Sequence, residues 1–248
     1  MARVDLNCDL GEGAGHDAAL MPWVTSANIA CGAHAGDEAT MQATVELARR
    51  HGVAIGAHPG YADRANFGRV EQALPADAVY QLVLNQTQAL QRIATAAGTR
   101  VRHVKPHGAL YNQAARDAVL ASAVARAVRA ADATLMLFGP AGSELVRAGT
   151  AAGLAVACEV FADRTYEPDG SLTPRTRAGS VITDEAVAVA QVLRMVTAGR
   201  VRATDGADIV VQADTVCLHG DGVHAVAFAR KINEALAVAG VDRRSFRA

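Results

Sequence analysis

The chain has 248 residues, 51% of them hydrophobic and 20% charged, with 24 basic against 25 acidic groups and a formal net charge of −1. That apolar content excludes a disordered chain, and the even charge balance excludes a polybasic nucleic-acid binder. No uninterrupted apolar run reaches the roughly 18 residues that a membrane span requires.

In chain order, the N-terminus meets a carboxylate at Asp5, so it does not read as a secretory leader. Strands are predicted at Val4–Cys8, Ser26–Ala30, Val53–Ala57, Val101–Lys105, Thr134–Phe138, Leu154–Cys158 and Thr215–Leu218. They are short, rich in Val, Ile and Ala, and read as apolar on both faces, the pattern of buried parallel strands. Between them, Asp37 caps a predicted helix through Arg50, stopped by Gly52 after His51. Pro75 opens another that runs to about Ala97 before Gly98. Further helices are expected near Ala114–Ala131, Gly142–Ala152, Asp184–Ala198 and Gly222–Ala239. Phe161–Ser180, with Pro168, Gly170, Pro174 and Gly179, reads as a long loop, and Val201–Ala213 as a small hairpin turning at Asp205-Gly206. Cys8, Cys31, Cys158 and Cys217 lie in or beside apolar runs without metal or redox spacing. They read as small buried hydrophobes in a reducing, cytoplasmic compartment.

Strand and helix thus alternate about seven times, and no linker divides them. A closed parallel (β/α) barrel and an open doubly wound sheet both fit. The barrel is preferred, with residues 1–248 as one domain, because almost every strand ends in chemically capable residues. Asn7, Asp9 and Glu12 follow the first, and Asn28, His34 and Asp37 the second. His58 and Tyr61 follow the third, with Asp63, Asn66 and Arg69 behind them; Lys105, His107, Tyr111 and Asn112 follow the fourth. The sixth gives Glu159, Asp163, Arg164 and Tyr166, and the seventh His219 and Asp221, whereas the fifth ends in Phe138-Gly139-Pro140. A parallel barrel brings all C-terminal strand ends to one rim, where barrel active sites lie. The expectation is a wet, polar pocket there.

His51 reads as a helix C-cap, and His16, His103 and His224 as structural or solvated. Lys105 is one of only two lysines; buried at a strand end, it needs an anion nearby. Asp9, His34, His58, Glu159 and His219 could ligate a divalent cation, although no HExxH or paired Cys/His motif is present. Gly11-Glu12-Gly13-Ala14-Gly15 is glycine-rich but fails the dinucleotide fingerprint, and no Walker A sequence occurs.

Asp5-Leu6-Asn7-Cys8-Asp9-Leu10-Gly11-Glu12 and Asn28-Ile29-Ala30-Cys31-Gly32-Ala33-His34-Ala35-Gly36-Asp37 begin a series of longer motifs. Gly56-Ala57-His58-Pro59-Gly60-Tyr61, Phe67-Gly68-Arg69 and Lys105-Pro106-His107-Gly108-Ala109-Leu110-Tyr111-Asn112 continue it. Phe161-Ala162-Asp163-Arg164-Thr165-Tyr166 and Cys217-Leu218-His219-Gly220-Asp221 complete it. In order and over almost the whole chain, these resemble the LamB/YcsF family, the A subunits of bacterial ATP-dependent 5-oxoprolinase. One departure is Val70, where the family often carries a second Arg.

The resemblance implies a seven-stranded barrel of the glycoside hydrolase/deacetylase type. It implies opening of the 5-oxo-L-proline lactam to L-glutamate with ATP as co-substrate, alongside partner subunits B and C. On that reading Asp9 or Glu159 is the general base, directly or through a divalent cation. Lys105 or Arg164 holds the substrate carboxylate or the activated oxygen. His58, His107 and His219 orient the carbonyl and ring nitrogen, while Asn7, Asn28, His34, Tyr111, Asn112 and Asp221 bind substrate. Two other readings are a metal-dependent carbohydrate-type deacetylase and a lactam-binding subunit without chemistry of its own. The alanine-rich helices could equally pack against sister chains.

Overall fold

Seven parallel strands close on themselves in the computed structural model, which describes residues 2–219 and 225–246 and, at His219, the backbone alone. They are β1 (Arg3–Leu10), β2 (Ser26–Ala30), β3 (Ala54–His58), β4 (Val101–Val104), β5 (Met136–Pro140), β6 (Ala155–Phe161) and β9 (Thr215–His219). Each pairs with the next, and β9 closes the ring by pairing with both β6 and β1. The predicted hairpin is present as β7 (Arg200–Arg202) antiparallel to β8 (Asp208–Val210). A short β10 (Asp242–Arg243) pairs with the start of β1.

Helices surround the barrel, and their ends follow local chemistry. Asp37 Oδ1 accepts from the Thr40 amide at the start of α2 (Glu38–His51), and left-handed Gly52 ends it. Ser143 and Asp184 cap α6 (Glu144–Ala151) and α7 (Glu185–Ala198) in the same way. The short α1 (Asp17–Leu20), the long α3 (Ala76–Ala96) and the last helix α8 (Ala225–Val238) complete most of the coat. The expected helix at Ala114–Ala131 is instead two, α4 (Gly108–Arg116) and α5 (Ala118–Ala131). Asp117 divides them: its backbone is extended, and its carboxylate accepts from the Val119 and Leu120 amides to start α5.

The strands are not apolar on both faces. Leu6, Cys8 and Leu10 of β1 join the hydrophobic core, but the alternating set Asp5, Asn7 and Asp9 is buried among polar groups. Ser26 and Asn28 of β2, His103 of β4, Glu159 of β6 and Thr215 of β9 do the same. A polar barrel interior is tolerated because its members satisfy one another. At its base the hydroxyls of Thr25, Ser26 and Thr215 all donate to Asp5 at 2.6 Å. Burial nevertheless pushes the Asp5 carboxyl up from its ordinary range.

Candidate active site

β1, β3 and β6 run further than expected, so Asp9, His58 and Glu159 stand on the strands rather than after them, whereas β4 stops at Val104, one residue short of Lys105. Asn7 is the hub above Asp5. Its amide donates to Thr215 Oγ1 at 2.7 Å and Glu159 Oε1 at 2.9 Å, and its Oδ1 accepts from Asn28 at 2.7 Å. Asn28 also donates to Asp9 Oδ1 at 2.8 Å and accepts from His103 Nε2 at 2.8 Å. His103 stacks on Phe138, with ring centroids 4.2 Å apart, and occupies the space that a Cβ on Gly56 would fill. It is structural, as expected, and burial pulls its ring down to about 3, so it is neutral.

Lys105 Nζ lies 2.9 Å from both Asp9 Oδ1 and Glu159 Oε1, 3.0 Å from Cys217 Sγ and 3.3 Å from Asn7 Oδ1. Burial pulls its ammonium down, but Asp9, Cys217 and Glu159 outweigh that and hold it well above its ordinary value. The anion predicted beside Lys105 is therefore a pair of carboxylates. Tyr111 closes the other side of Glu159, donating to Oε2 at 2.6 Å.

A second group adjoins the first. Glu12, His34, His58 and His107 each offer one ligand atom, all within 4.8 Å of one another. Glu12 Oε1 lies 3.1 Å from His34 Nε2, 3.2 Å from His107 Nδ1 and 3.7 Å from His58 Nε2. The His34 and His107 rings stack in parallel, 3.7 Å between centroids, against Gly60 and Gly68, whose missing side chains make room for them. Burial would raise the Glu12 carboxyl, but the His107 and His34 rings beside it hold it well below its ordinary range. Burial pulls His34 down to about 4 and also lowers His107. At His58 burial acts in the same direction, but Asp9 and Glu12 overcome it and raise the ring. Three imidazoles and a carboxylate are a donor set that suits a divalent cation.

The structure thus brings Asn7, Asp9, Asn28, His34, His58, Lys105, His107, Tyr111 and Glu159 into one connected cluster. It is drier than the open pocket expected: Asp9 is 8% exposed and Glu159 2%. Asn112 stands apart. Helix α4 begins at Gly108, so Tyr111 turns inward while Asn112, one residue and about 100° on, faces solvent. Arg164 is buried but donates to the Ser180 and Thr173 carbonyls, tying down the long loop. Tyr61 pairs with Gln113, and Asp63 caps a single 3₁₀ turn at Arg64–Asn66. His219 is backbone-paired with Asp9, but its side chain lies outside the described residues, as do Asp221 and His224. Glu12 is the member that site selection from sequence passes over. Its signal is its place three residues after Asp9, in a glycine-rich turn that lets a carboxylate double back over the barrel.

The profile of the LamB/YcsF family matches residues 4–248. The A subunit of 5-oxoprolinase from Methylococcus capsulatus is 58% identical over 97% of this chain and 95% of its own. Its counterpart from Tolumonas auensis is 54% identical over 98% of both. The crystal structure of a lactam utilization protein from Thermus thermophilus superposes with a TM-score of 0.92 at 46% identity, covering 98% of this chain and 100% of that one. A family 4 carbohydrate esterase from Streptomyces lividans shares the fold at a TM-score of 0.52 and 14% identity, over 99% of this chain and 93% of that one. On the match of its whole length, the chain belongs to the LamB/YcsF family.

Proposed function

We propose that the protein opens the lactam of 5-oxo-L-proline to L-glutamate with ATP hydrolysis, acting together with partner subunits B and C. The observation that carries the reading is the joining of Asp9, Lys105 and Glu159 through one ammonium, in a chain whose relatives are named as the A subunit of 5-oxoprolinase. A metal-dependent carbohydrate-type deacetylase has the shared fold and the cation-binding donor set in its favour, but no relative of comparable identity.

A γ-lactam amide is resonance-stabilised and a poor electrophile. Transfer of the terminal phosphoryl of ATP to the amide oxygen, releasing ADP, breaks the amide resonance and exposes the carbon to water; departure of the ring nitrogen then leaves an acyl phosphate, which a second water cleaves to L-glutamate and phosphate. The first water needs a base, and the departing ring nitrogen needs a proton. Asp9 is the base we favour. Both Glu159 oxygens are engaged, by Asn7 and Lys105 on one side and Tyr111 on the other, and Glu159 is the deeper of the two. Asp9 Oδ2 faces the second group, 3.4 Å from His58 Nε2. Lys105 already has four acceptors for three protons, so it acts by fixing the two carboxylates. A divalent cation held beside Asp9 would stabilise negative charge developing on the attacked carbon's oxygens. In this reading the proton for the ring nitrogen comes from His219.

The test is turnover of 5-oxoproline and ATP by Asp9→Asn, Lys105→Met and His107→Asn variants with the partner subunits present. Losses of roughly 100-fold or more are expected for Asp9→Asn and Lys105→Met, with a smaller one for His107→Asn. Near-normal turnover in all three would remove this cluster from the reaction.

A further inference from the structure

His58 and His107 face each other in a way that neutral rings cannot satisfy. His58 gives its Nδ1–H to the Lys105 carbonyl at 2.7 Å, and His107 gives its Nε2–H to the Phe67 carbonyl at 2.8 Å. A carbonyl oxygen can only accept, so these bonds fix both tautomers. The nitrogens left over, His58 Nε2 and His107 Nδ1, are bare lone pairs pointed at each other 2.9 Å apart. Their surroundings add further acceptors: Glu12 Oε1 at 3.2 Å from His107 Nδ1, and Asp9 Oδ2 at 3.4 Å from His58 Nε2. A single shared proton would relieve one pair of these atoms and leave the rest opposed.

We propose that Glu12, His34, His58 and His107 together hold one resident divalent transition-metal ion in a tetrahedral site. Three observations converge on it. The outer ring nitrogens of His58 and His107 are anchored on backbone carbonyls, which is how metal-bound imidazoles are oriented. The spacing fits: zinc–nitrogen bonds of about 2.0–2.1 Å put neighbouring ligands of a tetrahedron about 3.4 Å apart. Four separations between the ligand atoms are 2.9, 3.1, 3.2 and 3.7 Å. The charge points the same way: among the described residues of the joined clusters, the carboxyls of Asp9, Glu12 and Glu159 outnumber the one ammonium, that of Lys105, so the site favours a cation.

His34 completes the set. Its buried Nδ1 has no hydrogen-bond partner, so the ring can place its lone pair on Nε2, toward Glu12, without giving up another bond. Three imidazole nitrogens and one carboxylate oxygen favour Zn²⁺, Co²⁺, Ni²⁺ or Fe²⁺ over Mg²⁺ or Ca²⁺, which demand oxygen cages. The site is thus distinct from one for a magnesium ion escorting nucleotide phosphates. The sequence alone points to Asp9 and Glu159 among the metal ligands; on this geometry Glu12 and His107 take those places. The inference deepens the reading of the same cluster as a lactam-opening site, but neither lactam nor nucleotide enters its test.

The experiment is chelator stripping of the full chain, followed by titration with Co²⁺ alone and with Zn²⁺ alone, read by elemental analysis, calorimetry and the visible spectrum of the cobalt form. One ion per chain, the strong visible bands of tetrahedral cobalt, and at least a roughly tenfold weaker affinity in both Glu12→Gln and His58→Gln are expected, with folding of each variant checked by circular dichroism. Absence of stoichiometric uptake by the wild-type chain would overturn the proposal. So would uptake that survives Glu12→Gln and is abolished in folded Asp9→Asn, since that would move the ion to the other carboxylate. Either result would leave lactam turnover to be judged on its own assay.

Discussion

Lys105 Nζ stands 2.9 Å from Asp9 Oδ1 inside the barrel, both side chains almost wholly removed from water. The same ammonium reaches Glu159 at the same distance, so its loss would strand two buried carboxylates. Breaking a buried pair from one side costs about 3–5 kcal/mol. Lys105→Met is expected to lower the urea midpoint of the chain by a corresponding amount at pH 7. Lys105→Met/Glu159→Leu should recover part of that stability while restoring no turnover.

Gly56 exists to admit the His103 ring. A Cβ at position 56 would stand 2.0 Å from His103 Nε2. Gly56→Ala is therefore expected to destabilise the protein by about 3 kcal/mol or more, the upper range for overpacking. Removing the ring as well, in Gly56→Ala/His103→Ser, should make the double variant more stable than Gly56→Ala alone. Thermal unfolding of the four proteins of this cycle reads the coupling directly.

The same ring shapes the response to acid. Burial first, then the charges of Lys105 and His58, bring His103 down to about 3, below the ordinary 6.5. An unfolded chain therefore takes up this proton before the folded one does. The stabilisation is complete above pH 6.5 and is lost as pH falls from there toward 3. At pH 5 the loss should be about 2 kcal/mol from this residue. Urea midpoints at pH 7 and pH 5 should differ markedly less in His103→Gln than in the wild type, with His34, at about 4, supplying much of the remaining slope in metal-stripped protein.

Tyr111→Phe deletes the hydroxyl that donates to Glu159 Oε2 at 2.6 Å and nothing else of size. A hydrogen bond to a buried charged group is worth about 1.5–3 kcal/mol. Stability should fall by that amount, with turnover reduced about tenfold as Glu159 and Lys105 lose their register. Unchanged stability and turnover would show that the hydroxyl contributes nothing to either.

Much of this arrangement is legible in the sequence, because β-strands and barrel geometry are strongly periodic. The strand Ser26–Ala30 has the bounds its residues predict, and the motifs around Asp9, His58 and Lys105 fall at C-terminal strand ends. Depth is not legible. Asn7 and Asn28 alternate with apolar neighbours and His103 lies between Arg102 and Val104, so no short window shows that one inner face is polar. The network that makes such a face stable joins β1, β2, β4, β6 and β9, and no local window contains it. Asn112 departs from expectation for a related reason. The helix boundary at Gly108, three residues after Lys105, decides which of two adjacent polar residues looks inward.

The meeting of β9 with β1 has a consequence for synthesis on the ribosome. Asp5 and Asn7 emerge among the first residues, yet their partner Thr215 comes more than two hundred positions later. A nascent chain carries its acids and its lysine for most of its elongation without the seam that gathers them. The buried network thus stays open until Thr215 has been made, and a fragment ending before that residue would lack the seam that joins Asp5 and Asn7 to β9.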